Sequence, residues 1–284
     1  MSNNIIIYDI LDSVHTVIAG VTGSGKSVLL NDIIYTIIKN YCADDCKLIL
    51  CDPKKTEFAK YKKLPHVLRY GNDASSILSA LRKAHDLMEQ RNRTAENDPW
   101  NEPDFIPVYI IIDELADFFL NCGKEGKSLL QSIAQMGRSA NIHLIVATQH
   151  PSKQQFPAFI QNNFTTRVAL HCNDVIQSRQ ILGTGGAETL TVGNAIVKVD
   201  GKSAYRVHVP FIGISEIRSV VESVQAEQQE RLQQIADTYK RSASPALPEA
   251  ETGKKNKPKS PLTAVLEWVV LLPVLVLWKM WENA

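Results

Sequence analysis

An excess of charge of one sign is missing from this 284-residue chain: 31 lysines and arginines face 30 aspartates and glutamates. No net field therefore advertises a nucleic acid or an acidic surface, and any basic surface has to be local. Cysteine is scarce and uneven. Five residues, Cys42, Cys46, Cys51, Cys122 and Cys172, form no even framework, which argues against a disulfide scaffold and for reduced thiols in a cytosolic compartment. The spacing of Cys42, Cys46 and Cys51 fits no common zinc pattern, and no histidine lies near them. The amino terminus lacks the succession of basic, apolar and small residues that marks a secretory leader, so none is expected. No internal repeat is present. What the chain does have is 44% hydrophobic residues, enough to bury a sizeable core in one large domain or two small ones.

Through the first two-thirds, short β-rich runs alternate with helical patterns. "HTVIA" precedes "SVLLNDIIYTIIKN", "KLILC" precedes "SSILSALRKAHDLMEQR", and "VYIII" precedes "SLLQSIAQM" and then "HLIVAT". The runs are continuously apolar rather than alternating, as strands covered on both faces require, so the fold class is α/β with a mainly parallel sheet. Ile77, Leu78, Leu81, Ala84, Leu87 and Met88 give one helix an apolar face toward that sheet. "RNRTAENDPWNEPDFIP" reads as a polar loop before the third strand. "NAIVKVDGKSAYRVHV" reads as a hairpin turning at Asp200-Gly201 that closes a domain over residues 1–221. Residues 222–241 read as a polar helix whose Leu232, Ile235 and Tyr239 make one narrow apolar seam, either a coiled-coil contact or a solvated terminal helix. Residues 242–260, rich in proline, small residues and lysine, read as a flexible linker.

A long apolar run occurs only near the carboxyl end, from Leu262 to Trp278, interrupted by Thr263, Glu267 and Pro273. It is short for a spanning helix, which takes ~20 residues. Lys254, Lys255, Lys257 and Lys259 precede it and Lys279 follows, a bias that leaves the preceding domain on the cytoplasmic face of the cell membrane. Residues 261–281 are therefore expected to form a single-pass hydrophobic anchor helix with Trp268, Trp278 and Trp281 at the interfaces. Glu267 is costly in hydrocarbon, and the competing reading is a helix lying on the membrane or packing on a partner.

The chemistry starts at "GVTGSGKS", Gly20 to Ser27, which fits G-x-x-x-x-G-K-S between an apolar strand and a helical run. Gly20, Gly23 and Gly25 let successive backbone N–H groups of Val21, Thr22 and Ser24 and the helix start face a phosphate. Lys26 suits the β- and γ-phosphates of ATP, and Ser27 suits Mg2+. "VYIIIDELAD" delivers Asp113 and Glu114 at a strand's carboxyl end, where open α/β sheets place ligands. Asp113 suits the Mg2+ shell and Glu114 a base acting on water, a pairing that points to hydrolysis. Asp117 is explained as an acidic residue in a helix's first turn. Gln149, after "HLIVAT", either senses the γ-phosphate or bonds backbone at a loop start.

Taken in order, "HTVIAGVTGSGKSVLLNDII", "KLILCDPKKTEF", "IIIDELADF", "AQMGRSANIHLIVATQHPS", "NNFTTRVAL" and "SRQILGTGGAETL" resemble the motor core of the FtsK/SpoIIIE DNA translocases, within the FtsK–HerA group of P-loop ATPases. The likeness runs from about Ile5 to Val221. It implies a RecA-like fold with the "HLIVAT" strand between the P-loop strand and "VYIII", which would put Gln149 beside the γ-phosphate. It further implies a homo-oligomeric ring, usually a hexamer, that holds DNA in its channel, with ATP between subunits. Arg138 matches the arginine such motors offer a neighbour's nucleotide; read without the family, it is a surface arginine closing a helix. Channel-facing loops would be "NCGKEGK" and "HPSKQQFP", so that Lys124, Lys127 and Lys153 either meet DNA phosphates or are simply solvated.

Two positions depart from the family. Val175 stands where a basic residue is expected and Gln177 where an acid is, which puts a second basic contact between subunits in doubt. The family's amino-terminal membrane domain, upstream motor subdomain and winged-helix domain are not expected within this chain, nor is sequence-guided direction. The implied function is an ATP-driven, membrane-tethered DNA pump of a mobile element or virus, working in transfer, packaging or extrusion. An ATPase of a protein secretion or assembly apparatus is the alternative. A nucleotide-dependent scaffold that hardly turns over fits less well with an intact Asp113–Glu114 pair.

Overall fold

The computed structural model describes Ile7 and residues 10–98, 100, 103–149, 151 and 156–242, the last four of these through their helical backbone only. The chain divides into two compact units, residues 1–225 and 226–284.

In the first unit, β1 (His15–Ala19) leads through the Gly20–Ser27 turn into α1 (Lys26–Asn40), then β2 (Lys47–Cys51), β3 (Val67–Gly71), α2 (Ala74–Asn97), β4 (Val108–Ile112), α3 (Leu115–Met136) and β5 (Ile142–Thr148). Next come α4 (Ala158–Asn163), β6 (Thr166–Ala169), α5 (Val175–Leu182), β7 (Asn194–Val199) and β8 (Tyr205–His208); the final helix, α6, runs Ile214–Ser242. All eight strands form one sheet in the order β3-β2-β4-β5-β1-β6-β7-β8. The pairs from β3 through β6 are parallel, and β7 and β8 close the edge as the antiparallel hairpin turning at Asp200-Gly201. Every residue of β1 and β4 is buried, the polar His15 and Thr16 at the start of β1 included, which is why the remainder of both strands is hydrophobic. The register sets Ala19 opposite Thr148 and Cys51 opposite Ile112, so the carboxyl ends of β1, β5, β4 and β2 share one edge.

Leu29, Leu30, Ile33, Ile34, Ile37 and Ile38 of α1 sink into a core completed by Leu48, Leu50, Ile111, Ile145 and Val168 from the sheet. Ile217 and Val221 in the first turns of α6 join the same core, so the carboxyl-terminal helix begins earlier than the polar pattern suggested and starts apolar. In the second unit Leu232 and Ile235 are about half exposed. All five cysteines are free.

Three readings from sequence need correction. The polar segment after "MEQ" is helical through Asn97, because no proline occurs before Pro99 and Arg91 is buried. "NCGKEGK" is not a free loop: it lies inside α3, which is interrupted only at Gly123 (φ 57°, ψ −145°). Ser242, taken as the first residue of the linker, ends α6. The remaining linker residues, the 261–281 anchor, Lys153 and the Tyr239 side chain lie outside the described residues. Among the described residues, no helix is long and apolar enough to cross a membrane.

Candidate nucleotide site

The turn after β1 is shaped by close contacts and by glycine. Gly20 donates its N–H to the Thr148 carbonyl (3.2 Å) and Val21 to that of His171 (3.0 Å), which ties the loop to both flanking strands. A Cβ at Gly20 would stand 2.5 Å from Ser24 Oγ and 2.9 Å from Leu170 Cβ. Gly25, the residue capping α1, has φ 102°, a left-handed backbone that side chains resist. The helix start has neither a side-chain cap nor an acidic residue in its first turn, so its N–H groups and dipole are left for an anion. Ser24 Oγ is buried without a hydrogen-bond partner.

Lys26, 4% exposed, donates to Asp113 twice: to the backbone oxygen at 2.8 Å and to Oδ1 at 3.0 Å. Burial raises the Asp113 carboxyl above its ordinary range, and the Lys26 ammonium works against that shift. The Val21 and Ser24 N–H groups, expected to face a phosphate, are instead engaged by the His171 and Val21 carbonyls at 3.0 Å each, because they close the turn. A lysine held this way beside an uncapped helix start is matched to a polyphosphate, and Ser27 with Asp113 supplies the hard oxygen donors a divalent cation takes. The residues present therefore fit ATP and Mg2+. Among the described residues, no cluster of three or more histidine, cysteine or acidic side chains is placed to hold a metal by itself.

Glu114 caps α3, accepting from the Ala116 N–H at 3.4 Å. The Gln149 N–H lies 3.2 Å from both of its carboxylate oxygens. Gln149 in turn accepts from the Thr22 hydroxyl through Oε1 at 2.9 Å. Lys26, Asp113, Glu114 and Gln149 are thus brought together, across β1, β4 and β5, with the last strand in the middle as the resemblance implied. Arg138 is not. It is exposed in the turn before β5, at the opposite end of a seven-residue strand from Gln149, on the order of 20 Å away.

Sequence reasoning passed over Lys54, whose Nζ lies 3.7 Å from Glu114 Oε2 and 3.4 Å from Asp117 Oδ2. The "DPKK" word was visible, but its reach to Glu114 depends on β2 lying beside β4. Val175 and Ile176 at the start of α5 are exposed, and Gln177 replaces an acid by a role in the chain's own turn, accepting from the Asn173 N–H at 3.3 Å. Lys124 and Lys127 line a small hollow with Phe119 and Gly123.

The FtsK/SpoIIIE family model matches residues 1–98 and 93–153. The DNA translocase FtsK of Staphylococcus aureus (strain Mu50 / ATCC 700699) is 36% identical over 238 residues, 76% of this chain and 30% of the relative, so the chain spans under a third of that protein's length. In fold, the chain is similar to the pCW3 conjugation coupling protein TcpA in its monomer form with ATPγS (TM-score 0.67, 19% identity, 78% of this chain and 66% of that one). It is also similar to the cytoplasmic domain of the type VII secretion ATPase EccC of Thermomonospora curvata (TM-score 0.64, 20% identity, 74% and 28%).

Proposed function

This chain belongs to the FtsK/SpoIIIE family, and from that membership we propose that it is a RecA-like ATPase that assembles into a homo-oligomeric ring, hexameric by family pattern, and moves DNA. The observation that carries the reading is the convergence of Lys26, Asp113, Glu114 and Gln149 at one edge of the sheet. Bound there, ATP with Mg2+ supplies a phosphoanhydride bond and the charge neutralisation its cleavage needs. Lys26, which here donates to Asp113, would hold the β- and γ-phosphates, and Asp113 with Ser27 would hold the cation. The N–H groups of Gly23, Gly25, Lys26 and Ser27 cradle the phosphates, while those of Gly20, Val21 and Ser24 hold the loop's own shape. Glu114 takes the proton of the attacking water, and the Gln149 side chain leaves the Thr22 hydroxyl for the γ-phosphate, so that the two ends of one residue link phosphate sensing to the base. Arg138, remote from its own subunit's site, serves the neighbour's.

DNA contact is assigned to Lys124, Lys127 and Lys153, with sequence-independent, salt-sensitive affinity. The domain is placed on the cytoplasmic face of the cell membrane, tethered through residues 261–281 as a single-pass anchor, with transfer or assembly machinery as its partner. The DNA translocase relative supports a DNA substrate over a translocated protein, because the fold likeness to EccC at 20% identity speaks only for architecture. Steady-state ATPase with and without double-stranded DNA tests the reading. Turnover should rise with DNA; a ring-forming protein that hydrolyses ATP without responding to DNA would sink the translocase assignment in favour of the secretion alternative. Membrane fractionation after deletion of residues 261–284 tests the tether, and unchanged membrane association rejects it.

A further inference from the structure

The chain's charges balance overall, but they are not spread evenly. Residues 54–63, "KKTEFAKYKK", hold five lysines against one acidic residue, Glu57. Glu57 is half-buried, and its Oε2 accepts from Asn31 Nδ2 of α1 at 3.4 Å. Lys54 is taken up by Glu114 and Asp117. The other four, Lys55, Lys60, Lys62 and Lys63, are exposed, and none of them forms an ion pair among the described residues. Like charges gathered in one place repel, and a bound anion relieves that repulsion.

The strip that carries these lysines, the crossover from β2 to β3, has a fixed shape. At its start the buried Asp52 accepts from the N–H groups of Thr56 (3.2 Å), Glu57 (3.1 Å) and Phe58 (3.0 Å). Lys55 stands in the left-handed region (φ 63°), which a non-glycine residue keeps only where its surroundings fix it. Farther on, Phe58, Tyr61 and Leu64 recur at every third residue, the period of the tight 3-10 turn at Ala59–Tyr61, and all three are buried in the core that α1 fills. The Tyr61 hydroxyl also donates to Asn31 Oδ1 at 2.7 Å. Lys60, Lys62 and Lys63 fall between these anchors and point outward. Lys60 Nζ is steadied by the Glu57 carbonyl at 2.8 Å and lies 5.2 Å from the centre of the Tyr61 ring. The ammonium groups therefore stand on backbone that needs no ordering when a ligand arrives.

We propose that Lys55, Lys60, Lys62 and Lys63 form a DNA-binding surface separate from Lys124 and Lys127, holding the phosphates of duplex DNA without regard to sequence. The inference rests on DNA being the substrate of the proposed function. With a net charge of only +1, attraction for a polyanion has to come from a local cluster, and residues 54–63 are the densest run of lysine among the described residues. Lys124 and Lys127, by contrast, lie within α3 and not on a free loop. No large apolar side chain is exposed between residues 54 and 66. A strip of ammonium groups without apolar neighbours suits a phosphate backbone better than a bilayer surface, into which apolar side chains would also insert.

Fluorescence anisotropy with the full chain, ATPγS, Mg2+ and labelled duplexes of two unrelated sequences, read at several salt concentrations, tests this. Lys60→Gln/Lys62→Gln/Lys63→Gln should raise Kd by about tenfold or more near 0.1 M salt, equally for both sequences, and should lower the salt slope by about 0.9 per lysine removed. Replacing the same three lysines by arginine should restore both. Lys202→Gln/Arg206→Gln/Arg218→Gln removes equal exposed charge from the β8 hairpin and the start of α6, and should leave Kd within about twofold. If the first variant melts early, Lys62→Gln/Lys63→Gln, which breaks no internal hydrogen bond, takes its place with a slope lower by about two. A wild-type slope in the glutamine variants overturns the inference, as does an equal loss in the β8 control. So does a loss confined to vesicles of phosphatidylcholine and phosphatidylserine, with duplex binding intact. A wild-type protein that binds no duplex refutes the proposed function itself, and this surface with it.

Discussion

Asp32 sits in the middle of α1 with no exposure, and neither carboxylate oxygen makes a well-formed hydrogen bond, the Ile212 backbone N–H being a nearby donor. Burial raises its pKa to about 7, with the Ile212 backbone amide pulling the other way. His15, at the start of β1, is held neutral: Nε2 faces the Ala134 carbonyl at 3.1 Å and Nδ1 accepts from the Leu144 N–H at 3.0 Å. Desolvation, and then His143, lower its pKa to about 4. The signs oppose each other. Asp32 binds its proton more tightly in the folded state, so its contribution is full at low pH and is lost as pH rises from about 4 to about 7. His15 binds a proton more tightly in the unfolded state, so its contribution is full above about 6.5 and is lost as pH falls toward 4. Each is on the order of a few kcal/mol, so they largely cancel across this window in the wild-type protein. Asp32→Asn should raise the melting temperature at pH 8 by roughly 5 °C and leave the His15 loss unopposed between pH 7 and 5. Thermal unfolding at pH 5, 6, 7 and 8 checks both; a variant whose pH profile parallels wild type would show that Asp32 is charged in the fold. Neither residue was legible in the sequence, where an aspartate at "LNDII" looks like helix surface. Lys26 and Asp113 were legible, because phosphate and cation chemistry fixes their spacing from glycine and from the strand end.

At the scale of elements, the strands nearest the site were readable because full burial forces continuous apolar runs. β3 was not: "VLRYG" is half-exposed near the sheet's edge and carries no such run. The extension of α2 was hidden for another reason. Its last two turns are polar, and what orders them is Arg91, 6% exposed, whose Nη1 donates to the Ile106 carbonyl at 2.9 Å and the Ala140 carbonyl at 2.8 Å. The guanidinium also lies 5.1 Å from the Phe105 ring, and burial lowers its pKa to about 10. One side chain thus pins α2 to the entries of both β4 and β5, a tertiary role that helix periodicity does not encode. Arg91→Met keeps the apolar stem and strands two buried carbonyls, at a cost of ~2–3 kcal/mol. The melting temperature should fall by roughly 5–10 °C. ATP affinity should stay within about twofold, because both carbonyls lie at the sheet end away from Gly20–Ser27. A matching loss of ATP binding in the folded variant would mean that the two ends of the sheet are coupled.

For the whole molecule, the decisive fact is that the sheet separates Arg138 from Lys26, Glu114 and Gln149 by the length of β5. A side chain reaches ~7 Å, so no rotamer closes a gap on the order of 20 Å, and within one subunit Arg138 has no part in hydrolysis. If it acts at all on nucleotide, it acts on a neighbour's. Arg138→Ala should then bind ATP normally and lose turnover by ~10³-fold, and Glu114→Gln should do the same for a different reason. Mixed together, the two inactive proteins form some interfaces in which an intact Glu114 from one subunit meets an intact Arg138 from the other. Activity should therefore reappear on mixing, rise with the chance of forming such interfaces, and be greatest near equal proportions. A monomer, or a ring whose sites are complete within each subunit, gives no recovery at any ratio. Recovery would place the catalytic unit at the junction between two chains, with Glu114 supplied by one and Arg138 by the other.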